Sequence, residues 1–152
     1  MTRVTRKQVQ WFKVFSERHS RLHYLVLIFE TKHDLRGYAA LHGEIDTSRA
    51  LGVTQTYVVY RERNACKRTL PVCGEILLCK GYLTPGIVAH EVTHAALGWA
   101  ARRRVQVDRP LNVGTVSENE ERFCYVVGHM TAQICMKLTA LGLLNTRDDI
   151  AG

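Results

Sequence analysis

Five consecutive residues, His90-Glu91-Val92-Thr93-His94, carry the chemistry this sequence most plainly offers. On an α-helix a spacing of four sets the two imidazoles on one face, one turn apart, where they can converge on a single tetrahedral cation. Glu91 follows the first histidine, so its carboxylate can reach a water on the metal rather than the metal itself. That is the division of labour of a zinc-dependent hydrolase, with His90 and His94 as ligands and Glu91 as general base. One Zn2+ as cofactor and a peptide or protein as substrate are the matching expectations; the same ligands would serve hydrolysis of a non-peptide amide or ester.

A catalytic zinc needs a third protein ligand and one open position. The extended HExxHxxGxxH pattern would place Gly at 97 and His at 100, where this chain has Leu97 and Ala100, and no histidine occurs between His94 and His129. A carboxylate is left. Glu118, Glu120 and Glu121 stand close together further on. If Ser117 caps a helix there, Glu120 folds back on the cap, which makes Glu121 the freer acid and the expected ligand, with Glu120 its competitor. Tyr125 and His129, one and two turns beyond Glu121, are the expected donors to the oxyanion of a tetrahedral intermediate.

The elements that must position these groups are legible from caps and periodicity. Thr84 is a good N-cap and Pro85 suits the first helical position, so a helix is predicted from Pro85 to about Arg103. Ala89, Ala95, Ala96 and Gly98 keep it slim enough for close packing. Ser117-Glu118-Asn119-Glu120 has the form of a capping box and opens a second helix, running to roughly Leu141 with Gly142 as its stop. Upstream, Leu22 to Thr31 is apolar on both alternating faces, as in a central strand covered on two sides. Further strands are predicted at Tyr38 to His42, Thr54 to Arg61 and Glu75 to Lys80, the last read as edge-like and able to pair with an extended peptide. Trp11, Phe12, Val14 and Phe15 suit one face of a helix between Thr5 and Arg18. A loop with Pro110, Asn112 and Gly114 separates the two long helices, and Asn145 to Gly152 reads as a polar tail. The fold class is α+β: a small twisted, mainly antiparallel sheet packed on the HExxH helix and a second, ligand-bearing helix.

Strands, an HExxH helix, and a second helix that opens on acids followed by the small residues Cys124 and Gly128 together resemble the short-chain gluzincins, including the ImmA/IrrE-like metallopeptidases common in phages and mobile elements. The resemblance covers about residues 74 to 130, and HExxH is its specific part. It implies a zincin-like fold and one zinc, with His90, His94 and Glu121 at the ligand positions and Glu91 at that of the base. Tyr125 stands where that family often has Asn.

With 152 residues and 46% hydrophobic content, the chain can bury one proper core, so a single domain is expected. Its formal charge of +7 favours acidic partners, nucleic acid among them. No nucleic-acid reading motif accompanies the charge, and one basic cluster, Arg102-Arg103-Arg104, falls where cations stabilise a helix C-terminus. Five cysteines without CxxC spacing suggest reduced thiols in the cytoplasm. Cys66, Cys73 and Cys79 are the group that could converge on a second metal. No apolar run follows Arg3, Arg6 and Lys7, and the longest, Tyr24 to Phe29, is too short for a bilayer, so a soluble protein without a membrane partner is expected. A regulatory protein of the same fold that keeps zinc without turnover is the main alternative; the intact Glu91 argues against it.

Overall fold

The computed structural model describes residues 9–42, 50–57, 71–107 and 117–146. Its centre is β2, His23–Phe29, in which every residue is buried, as expected of a strand covered on both faces. Along one side β2 pairs antiparallel with β1, Gln10–Phe15. On its other side it pairs in parallel with β4, Val72–Cys79. β3, Gly52–Thr56, lies antiparallel against β4 and completes a four-stranded sheet of order β1-β2-β4-β3. The class is α+β, and the sheet is mixed rather than mainly antiparallel.

Alternation along the two central strands divides the core into two layers. Tyr24, Val26, Ile28, Ile76 and Leu78 pack with α2, Pro85–Arg103, and α3, Glu118–Ala140. Leu25, Leu27, Phe29, Leu77 and Cys79 pack with α1, Lys32–His42, on the opposite face. The register shifts between His23 and Tyr24, where β4 carries an extra residue. Gly74 follows at once, and a Cβ there would come within 2.0 Å of the Gln55 carbonyl oxygen, so only glycine lets β3 lie this close.

Both long helices match their predicted bounds closely. The Thr84 hydroxyl accepts from the Ile87 amide at 3.2 Å, and the Ser117 hydroxyl accepts from that of Glu120 at 3.1 Å. α3 ends at Ala140 with Leu141 as its cap, and Gly142, the next residue, adopts a φ of +67°.

Four expectations are corrected. The predicted helix over Thr5 to Arg18 is a strand in its described part: Val14 and Phe12 turn into the core while Trp11, Lys13 and Phe15 line the other face, a period of two that the cluster of large residues disguised. The predicted strand Tyr38 to His42 belongs to α1. Its start was signalled by Thr31, whose hydroxyl accepts from the Asp34 amide at 3.1 Å, and Leu35, Tyr38 and Ala39 supply the buried helical face. The strand read as Glu75 to Lys80 lies between β2 and β4's other neighbour β3, so it has no free edge for a peptide. Cys73 and Cys79 face opposite layers and cannot share a metal; Cys66 lies outside the described residues. So do Val58 to Arg61 of the predicted third strand, the loop with Pro110, Asn112 and Gly114, Arg3, Arg6 and Lys7, and residues 147–152 of the tail. Among the described residues no helix is long and apolar enough to cross a membrane.

Candidate metal centre

α2 buries Val88, Glu91, Val92, Ala95, Ala96, Trp99 and Ala100 and leaves His90, Thr93, His94 and Leu97 exposed. The two histidines therefore share the outward stripe, while Glu91 is turned in toward the sheet. The imidazole Nε2 atoms lie 3.2 Å apart, with the rings edge to face at 4.9 Å between centroids. Two Zn–N bonds of about 2.05 Å at the tetrahedral angle would separate the nitrogens by about 3.3 Å, so the pair fits two corners of one cation's shell. A direct imidazole–imidazole hydrogen bond has the same span.

Glu91 is 5% exposed, and its surroundings come from β3. The Thr54 hydroxyl donates to its Oε2 at 2.7 Å and also lies 2.9 Å from the Glu91 carbonyl oxygen. Gly52 lies beneath the side chain: a Cβ there would sit 2.8 Å from Glu91 Cγ and 3.0 Å from Oε1. Two turns further along α2, a Cβ at Gly98 would meet Thr56 Oγ1 at 2.3 Å and the Tyr24 hydroxyl at 2.6 Å. Tyr24 and Thr56 are themselves hydrogen-bonded at 3.1 Å, and burial pushes the Tyr24 phenol well above its ordinary value. Two glycines thus let α2 and β3 approach closely enough for side-chain hydroxyls to meet helix atoms. Gly98 was recognised as a small residue in the sequence. Gly52 and Thr54 were not, although Gly52, Thr54 and Thr56 recur at every second position, the mark of one small polar strand face.

α3 runs back along α2. The Asn145 amide donates to the Leu83 carbonyl at 2.7 Å, which sets the end of α3 beside the start of α2, and Arg122 lies over the Trp99 ring at 5.2 Å. Its acidic first turn therefore lies toward the distal half of α2, beyond His94. Glu121 is exposed, whereas Glu120 is half-buried on the flank shared with Phe123 and Val127. Among the described residues, no third His, Cys, Asp or Glu completes with His90 and His94 a group that could hold a metal ion.

Tyr125 and His129 stack on each other with ring centroids 5.4 Å apart, and Tyr125 is 50% exposed. Gln133, one turn on from His129, exchanges hydrogen bonds with the Phe15 backbone. This flank of α3 leans toward β1, at the other side of the sheet from β3. The structure brings His90 and His94 together on α2, with Glu91 on the same helix but turned toward β3; it does not bring Tyr125, His129 or Glu121 to the pair. The chain matches no family profile, no curated protein and no solved structure.

Proposed function

We propose that the protein is a zinc-dependent hydrolase, and within that class a peptidase of zincin-like architecture. The observation that carries the reading is the imidazole pair with Nε2 atoms 3.2 Å apart on the outward stripe of a helix whose next residue is a buried, hydroxyl-bonded glutamate. A bound zinc would supply Lewis acidity to a carbonyl and to a water at this place. Glu91 takes the proton of the attacking water and returns it to the leaving nitrogen. β3, which ends the sheet beside α2 among the described residues, replaces β4 as the edge able to pair with an extended peptide main chain. The third ligand is proposed to come from the acidic first turn of α3, from Glu121 or from Glu120, which would have to close the gap to the His90–His94 pair when metal binds.

The test is metal analysis of the purified full chain. About one zinc per chain is expected, lost in His90→Ala and in His94→Ala. Glu91→Gln should keep the zinc and abolish cleavage of peptide libraries. Zinc retained by both histidine variants removes the metal site. Loss of zinc from Glu120→Ala or from Glu121→Ala decides between the two acids; unchanged zinc in both takes the third ligand away from α3.

One observation favours a second reading: the absence of a completed ligand group among the described residues fits a plain hydrogen-bonded histidine pair. A zinc-free protein of unchanged stability in excess zinc would establish it. Association with nucleic acid through the +7 charge would appear as binding that falls steeply with salt.

A further inference from the structure

The contact between β3 and Glu91 is more specific than docking a strand on a helix requires. Docking is already provided by Gly98, two turns along α2, which admits Thr56, and by the Thr56–Tyr24 hydrogen bond beside it. At position 54 a valine would fill the same volume. Thr54 instead presents a hydroxyl with a single proton, and the shorter of its two contacts, 2.7 Å, is to the Glu91 carboxylate rather than to the carbonyl at 2.9 Å. A hydroxyl-to-carboxylate bond is charge-assisted and directional, so it fixes the rotation of the carboxylate plane as well as its place. Gly52 acts from the other side, leaving the space into which Glu91 Cγ and Oε1 fit. No Lys or Arg among the described residues pairs with this carboxylate, so its orientation is set by a neutral donor.

We infer that Thr54 is a positioning residue for the proposed base: its hydroxyl holds Oε2 of Glu91 and, with Gly52 beneath the side chain, fixes the place and rotation of the carboxyl group. The inference rests on the hydrolase reading for its catalytic meaning, whereas the contact itself can be tested without turnover. A base displaced by a fraction of an ångström loses rate rather than substrate affinity.

The experiment uses the full chain, loaded with zinc and metal-free, and compares wild type with Thr54→Val and Thr54→Ser, with Thr54→Ala standing in should valine disturb β3. Zinc content, kcat and KM on a cleavable peptide are measured, together with the carboxyl-carbon NMR resonance of Glu91 in protein labelled at the glutamate side-chain carboxyl. Thr54→Val is expected to lower kcat about tenfold to a hundredfold while KM and zinc content stay near wild type, and to displace the Glu91 resonance in the metal-free protein. Thr54→Ser should restore both. Full kcat in Thr54→Val, or a serine variant as impaired as the valine one, overturns the positioning role. If wild type neither binds zinc nor cleaves, the hydrolase reading falls by itself, and the NMR comparison still decides: an unmoved Glu91 resonance in Thr54→Val overturns the contact, and a resonance displaced by valine and restored by serine upholds it.

Discussion

Among the described residues two glutamates are buried, one on each face of the sheet, and they are satisfied in different ways. Glu75, 3% exposed, projects from β4 into the α1 layer, where the Tyr38 hydroxyl lies 3.0 and 3.2 Å from its two oxygens. Glu91, 5% exposed, projects from α2 toward β3 and takes a bond from Thr54 on one oxygen. Both are expensive to bury and both are hydrogen-bonded, as buried carboxylates must be. What separates them is the company they keep. Glu75 lies in the layer of Leu77, Tyr38 and α1, whereas Glu91 sits on the helix that carries two exposed imidazoles with Nε2 atoms 3.2 Å apart. Burial of an acid marks a constraint on the fold; only its neighbours make it a candidate for chemistry.

The sharpest way to break that comparison is to remove the charge from each in turn. Glu91→Gln should cut the cleavage rate by about 10²- to 10⁴-fold while the unfolding midpoint barely moves, because the amide fills the same space. Parallel kinetics and thermal unfolding check it, and a Glu75→Gln variant with the same kinetic defect would erase the distinction. Glu75→Leu should act on stability instead, costing about 1–3 kcal/mol in denaturant unfolding by removing the buried Tyr38–Glu75 hydrogen bond, with zinc content unchanged.

The glycines sharpen the contrast at smaller scale. Gly98→Ala forces a methyl to within 2.3 Å of Thr56 Oγ1 and 2.6 Å of the Tyr24 hydroxyl, so a loss of about 1–3 kcal/mol is expected from overpacking. Gly128→Ala in α3 meets nothing within 4 Å and removes a poor helix former. It should raise stability by about 0.5–1 kcal/mol, and a destabilised Gly128→Ala would show an approach of the helices absent from this packing.

Much of the fold was written locally. Thr84-Pro85 and Ser117 with Glu120 state where two helices begin, because a cap satisfies amides within its own first turn and needs no distant partner. The same holds for the histidine pair, whose convergence follows from a spacing of four on any helix. β2 was visible because an apolar run on both faces has few other uses. Long-range pairing was not legible. Trp11 to Phe15 became a strand because β2 offers it a ladder, and β4 became central rather than an edge because β3 pairs along its far side. Tyr38 went into a helix whose cap, Thr31, lay inside a segment already read as strand.

By itself, then, the sequence determined the two long helices, the central strand and the imidazole pair, all products of interactions within a few residues of chain. Only the tertiary structure decided that Glu91 rests on Gly52 and Thr54, that Tyr125 and His129 lean toward β1, and that the acids of α3 neighbour the far half of α2. Those placements depend on which surfaces meet when strands and helices pack, and that choice is made by shape and burial across the whole core rather than by any local run of residues.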